Sequence, residues 1–249
     1  MIKLEICAYN IDSCIAALNG GADRVELCAS MLEGGITPSY ATIKKAVGLG
    51  IDIMCMIRPK GGDFLYSNDD FELMQEDIIT CKALGVKGVV FGILKTDGSV
   101  DINRNKMLIN LCGNMQTCFH RAIDMTNDYL KAAKDITDMG FTRILTSGAE
   151  NKALDGISNI AKIQSMYGNN IEIMAGSGVN TGNIQIIYNK TKVPEFHLSA
   201  KKIVKSDMVF KNPKVSMGGF GEVSEYDNVI VDTGTVTKAS KIIKQLNEQ

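Results

Sequence analysis

Eight short runs of apolar and β-branched residues punctuate the chain, at 2–7, 24–28, 51–58, 87–93, 116–121, 142–147, 171–175 and 194–199. Each is bounded by turn-forming residues, as expected of short strands buried on both faces. Between them, helical spacing of apolar residues marks 11–20, 39–49, 69–84, 102–112, 127–139, 152–167 and 181–189, with a terminal helix at 235–247. Three junctions share one form, "GADRVELC" from residue 21, "GVKGVVFG" from 85 and "GFTRILTSG" from 140. In each, a helical pattern stops on glycine, the residue that tolerates a left-handed cap, and a strand begins within a few residues.

Strand and helix alternate throughout, and 249 residues over eight units gives roughly 31 residues each, the size of a βα repeat. The pattern predicts a single-domain (β/α)8 barrel of the TIM type. The rival is an open, doubly wound dinucleotide fold, supported by "GSGVNT" at 176–181. That segment matches the glycine fingerprint poorly and follows the seventh strand instead of the first. Residues 200–234 fit neither repeat. They are too long for an ordinary βα loop, and "MVFKNPKVSMGG" is too apolar for a linker, so a lid over the barrel or an interface element is expected.

Composition narrows the partners. Lys plus Arg number 27 against 28 Asp plus Glu, giving a net charge of −1, and no basic stripe invites nucleic acid. No apolar run approaches the ~18 residues of a membrane span. Met1 leads directly into a strand, so a cytoplasmic protein is expected. Seven cysteines, an odd number with no CxxC spacing, fit free thiols in a reducing compartment. Cys14, Cys55, Cys81 and Cys112 read as small buried apolar residues, and Met54 and Met56 as core filler.

In such a barrel the chemistry gathers at the C-terminal ends of the strands. Alternation along each strand groups Glu5 with Cys7, Glu26 with Cys28, Met54 and Met56 with Arg58, Cys118 with His120, and His197 with Ser199, and adds Thr146. If these face inward, two carboxylates, an arginine and both histidines converge on one mouth. Arg58, in "MIRPKGGDFLYS", is expected to face Glu5 and Glu26, since buried charges need partners. Pro59 and the glycines after it would then turn the chain over the mouth and return Asp63 toward it. The bland alternative is a structural ion-pair network with hydrogen-bonded core histidines.

"GGADRVELCAS", "EGGITPS", "MIRPKGGDFLYS", "VVFGILKTDGSVD", "FHRAID", "RILTSG" and "EFHLSA" resemble, in order, the signature segments of the CutC family, the so-called copper homeostasis proteins. The resemblance covers nearly the whole chain, with departures at "AYN" after Cys7 and "AGSG" at 175–178. It implies a cytosolic TIM-type barrel, often a homo-oligomer, linked to copper tolerance. It also implies Cu(I) binding at Cys7 and Cys28, which alternation places side by side on adjacent strands. Thiolates select soft Cu(I), and two ligands suffice for that ion.

The competing reading is an enzyme, an isomerase, lyase or hydrolase acting on a small anionic metabolite, phosphorylated or not. Arg58 would clamp the anion, and Glu5, Glu26, His120 and His197 would supply acid and base. Gly176, Ser177 and Gly178, ahead of a helix after the seventh strand, would offer backbone N–H groups to a phosphate.

Overall fold

The structure is a computed structural model that describes residues 1–215, 224 and 226–248. Eight parallel strands close into a barrel in chain order, β8 hydrogen-bonding back to β1. They are β1 (Lys3–Ala8), β2 (Arg24–Leu27), β3 (Asp52–Met56), β4 (Gly88–Phe91), β5 (Gln116–Phe119), β6 (Arg143–Thr146), β7 (Glu172–Ala175) and β8 (Glu195–Leu198). The helices α1 (Ile11–Gly20), α2 (Tyr40–Val47), α3 (Asn68–Leu84), α4 (Ile102–Cys112), α5 (Tyr129–Met139), α6 (Ile157–Tyr167) and α7 (Ile184–Thr191) alternate with them, and α8 (Thr233–Asn247) closes the outer ring. This is the single-domain (β/α)8 barrel that the pattern predicts.

The caps explain why the boundaries were legible. Gly21, Gly85 and Gly140, one from each repeated junction, all end a helix in the left-handed region, at φ of 82°, 78° and 92°. Ser67 opens α3 with a capping box, its hydroxyl accepting from Asp70 N while the Asp70 carboxylate accepts from Ser67 N. α6 starts five residues later than the pattern suggests. The chain winds back over the end of β6, and a Cβ on Gly156 would lie only 2.0 Å from the Ser147 carbonyl oxygen.

Two apolar layers build the core. Leu4, Ile6, Val25, Leu27, Phe91 and Phe196 pack between strands and helices, each contributing roughly 1.5–3 kcal/mol on burial. Inside the barrel Met54, Met56, Val90, Cys118, Leu145 and Met174 pack with Cys7 and Cys28. Gly88 makes room for this filling, since a Cβ there would meet Met54 Sδ at 2.7 Å and the Gln116 carbonyl oxygen at 2.4 Å.

The stretch that fits no repeat begins and ends as an antiparallel ribbon, β9 (Lys201–Lys205) paired with β10 (Asp227–Val231). β10 is tied to the start of α1 by Val231 N, which donates to Ser13 Oγ at 3.2 Å. Asp232 then caps α8, accepting from Thr235 N at 2.8 Å. β9 is exposed along its whole length, and no described residue of 200–234 lines the cavity at the barrel mouth. Residues 216–223 and 225 of the expected lid or interface lie outside the described residues.

Candidate functional site

A buried layer of charge forms the floor of the mouth. The β1–β2 register sets Glu5 beside Arg24, and the β1–β8 register sets Glu5 beside His197. Arg24 Nε donates to Glu5 Oε2, and its terminal nitrogens donate to both oxygens of Glu195, the Nη1 to Oε1 bond measuring 2.9 Å. Arg143 on β6 adds a second cation, with Nε 3.0 Å from Glu195 Oε2 and Nη1 3.0 Å from Gln116 Oε1. Glu5, Arg24, Arg143 and Glu195 are all buried. Burial raises the Glu5 carboxyl, but Arg24 and His197 more than offset it and bring it down to about 2.

Above this floor stands the reactive cluster. His197 Nδ1 lies 2.8 Å from Glu5 Oε1, while Nε2 on the other side of the ring lies 3.7 Å from Glu26 Oε2. One donor atom each from Cys7, Glu26 and His197 falls within 4.8 Å of the others, a spacing that can hold a metal ion. Cys28, fully buried beside Gly35 and Met56, points its thiol at Glu26 Oε2, 3.6 Å away.

The Cys28 thiol, with His197 and Tyr9, holds Cys7 well below the usual thiol range against burial. Cys7 and burial push Cys28 well up. Burial works against a charged His197, yet Glu26, Cys7 and Glu5 outweigh it and hold the ring well above the usual histidine range. Glu26 is pushed well up by burial, with Cys7 and Glu5 adding to the shift. The neighbours of Cys7 and His197 thus favour the charged form of each, while burial favours the neutral form of Glu26.

Cys7, Tyr9, Glu26 and His197 line a cavity of about 340 Å³ at the mouth, together with Met56, Arg58, Phe64, His120, Leu145, Ser177, Gly178 and Ser199. Several sequence expectations need correction here. Arg58 does not face Glu5 and Glu26. It lies two residues beyond the end of β3, where strand alternation no longer applies. Its Nη1 donates to the Glu33 and Gly35 carbonyls at 2.6 and 2.9 Å and its Nη2 to the Gly62 carbonyl at 2.6 Å. The cation that Glu5 needs is Arg24.

Thr146 faces away from the barrel interior, bonding Asp124 and Tyr129, and Leu145 takes the inward place. Asp63 is exposed and accepts from Leu65 N. In the expected phosphate turn, Gly176 N donates to the Thr146 carbonyl as part of the barrel, and Ser177 Oγ donates to the Asn151 carbonyl at 2.7 Å. Arg24 and Glu195 were missed, although the same alternation counted two residues back from Glu26 and His197 points to each; Arg143 was missed because the expected inward residue of β6 was Thr146, and two residues back from that is Ile144. Tyr9 and Phe64, which also line the cavity, sit in loops where no periodicity could mark them.

The profile of the CutC family matches residues 2–202. The chain belongs to the CutC family. It is 41% identical over 244 residues to a family protein CutC of Bacteroides thetaiotaomicron, with 97% of this chain and 98% of the relative covered. It is 38% identical over 265 residues to the copper homeostasis protein cutC homolog of Dictyostelium discoideum, covering 94% and 95%. Among solved structures, the putative copper homeostasis protein CutC from Streptococcus agalactiae superposes with a TM-score of 0.76 at 34% identity, covering 80% of this chain and 99% of that one. The CutC-like segments coincide with the site: "GGADRVELCAS" delivers Arg24, Glu26 and Cys28, and "EFHLSA" delivers Glu195 and His197.

Proposed function

We propose that the barrel mouth binds one Cu(I) ion, with Cys7 as the central ligand and Cys28 and His197, each releasing its proton to solvent as the ion binds, completing a three-coordinate set. The observation that carries this reading is the position of Cys7. It offers a sulfur within 4.8 Å of donor atoms of His197 and Glu26 and lines an open cavity, and its Cys28 and His197 neighbours favour the thiolate, the metal-binding form of cysteine. Sulfur with imidazole suits a soft monovalent ion, and the names of the relatives point to the same metal. Glu26 is a hard oxygen donor, and its Oε1 is buried without a hydrogen-bond partner among the described residues. In this reading it stays protonated and contributes little to binding.

The reading places the protein in the cytoplasm, where seven unpaired cysteines remain thiols. It also makes it a homo-oligomer, a view supported by the exposed apolar side chains of Met208, Val209 and Phe210 beyond β9.

Competition against a Cu(I) chelator under reducing conditions tests the ligand set. Cys7→Ser should abolish binding, Cys28→Ser and His197→Gln should each weaken it at least tenfold, and Glu26→Gln and Cys81→Ser should leave it within twofold. Undiminished affinity in Cys7→Ser would remove the assignment. One observation favours the enzyme reading as well: the His197 ring bonds the buried Glu5 carboxylate through Nδ1 and has a ring nitrogen within 4.8 Å of the Cys7 sulfur, a placement suited to activating a nucleophile. Metal-free protein that labels at Cys7 with iodoacetamide at pH 6 much faster than free cysteine would support it.

A further inference from the structure

Three buried polar atoms on residues of the mouth cavity have no hydrogen-bond partner among the described residues: Glu26 Oε1, Arg58 Nε and His120 Nε2. The two nitrogens belong to side chains that are only 5% and 4% exposed. Arg58 is the more unusual. Its terminal nitrogens go to three backbone carbonyls, and it takes part in no ion pair among the described residues. The rim carboxylate of Glu33 is exposed and occupied by Ser30 Oγ. The phenol of Tyr66, beside the guanidinium, is pushed up to about 12 by burial and stays neutral. A guanidinium out of water with no counter-charge costs several kcal/mol, so a partner from outside the chain would complete it.

His120 supplies a second donor. Its Nδ1 accepts from Ala122 N at 3.3 Å, which fixes the proton of the neutral ring on Nε2. Burial and the nearby Arg58 keep that ring neutral. The Phe64 ring packs against both groups, 5.2 Å from Arg58 Cζ and 4.7 Å from the His120 ring centre. Met56, Leu145 and Val179 add further apolar wall to the same cavity.

We propose that this cavity binds a small organic monocarboxylate, with its carboxylate on Arg58 and His120 and its short apolar body against Phe64, Met56 and Leu145. One positive charge without a counter-ion, on a residue that lines the cavity, matches a monoanion. A phosphate dianion would need more positive charge than Arg58 supplies, and in the turn after β7 two N–H groups are already taken: Gly182 N donates to Asn180 Oδ1 and Asn180 N to Asn183 Oδ1. The volume of about 340 Å³ lies at the small end of ligand cavities, and the apolar wall disfavours a fully hydrated inorganic ion. Cys7, Glu26 and His197 line the same space, so the far end of the bound molecule would meet the thiolate. The proposal does not rest on copper.

Calorimetric titration of metal-free protein with butyrate, its neutral isostere butyramide and inorganic phosphate tests it, alongside the ¹⁵N–¹H resonance of Arg58 Nε. Butyrate should bind once per chain and shift that resonance, with butyramide at least tenfold weaker. Arg58→Gln should weaken butyrate at least tenfold and leave Cu(I) affinity unchanged. Arg58 ties two loops together, so a variant that fails to fold is replaced by Ser199→Phe, an exposed rim position lining the cavity, which should also weaken butyrate. Equal affinity for butyrate and butyramide, phosphate binding tighter than butyrate, or no saturable binding to the native protein would each overturn the proposal.

Discussion

Replacing Arg24 with methionine puts the charged floor of the barrel to a quantitative test. The guanidinium is 4% exposed and bonds Glu5 and Glu195 at once. Removing one member of a buried ion pair costs about 3–5 kcal/mol. Here Glu5 keeps His197 and Glu195 keeps Arg143, so the lower end, about 3 kcal/mol, is expected. Part of that cost is the coupling to Glu5, whose carboxyl Arg24 and His197 together bring down from 4.5 to about 2 against burial.

The sign follows from the lowered folded-state value. The contribution is fully present above about pH 4.5 and is lost as pH falls through about 2. Urea denaturation of Arg24→Met should therefore show a midpoint lower by about 1 M at pH 6, for a slope of about 3 kcal/mol/M. The gap from the native protein should close as the pH approaches 2. Adding Glu195→Gln should recover part of the loss, with a coupling of about 1–3 kcal/mol. A cost under 1 kcal/mol, a gap unchanged with pH, or additivity within 0.5 kcal/mol would refute the reasoning.

Two further outcomes are expected. Arg58→Met and Glu26→Gln should add within about 0.5 kcal/mol in denaturant midpoints, because Arg58 is held by backbone carbonyls and not by carboxylates; a larger coupling would restore the ion pair between them. His120, lowered to about 3 by burial and Arg58, should show ring ¹⁵N shifts of a neutral Nε2–H tautomer that stay flat from pH 8 to pH 5. A midpoint inside that range would contradict the assigned tautomer and its surroundings.

The fold was legible because each unit carries its own punctuation. Gly21, Gly85 and Gly140 stop helices in a conformation that other residues resist, and the strands they introduce are short and wholly apolar apart from the residues that matter. The site was less legible for two physical reasons. Strands such as β6 are buried on both faces, so apolar character does not alternate and Leu145 could not be told from Thr146 as the inward residue. Attention to strand ends found Glu26, Cys7 and His197, which structure brings together. It passed over Arg24, Arg143 and Glu195, which sit at strand beginnings and complete the charge balance from below. Arg58 went wrong because a rule about strands was carried two residues past the strand.

The four-membered charge layer also bears on how the barrel chooses its own closure. Sliding one strand by two residues keeps the same set of side chains facing inward, so facing alone discriminates poorly between such alignments. With Glu195 moved two residues along β8, the carboxylate would leave both Arg24 and Arg143, stranding two cations and an anion in a dry interior. Glu195 therefore works as an alignment key. It sits on the last barrel strand in chain order, and it makes the misaligned barrel costly before any ligand has reached the mouth.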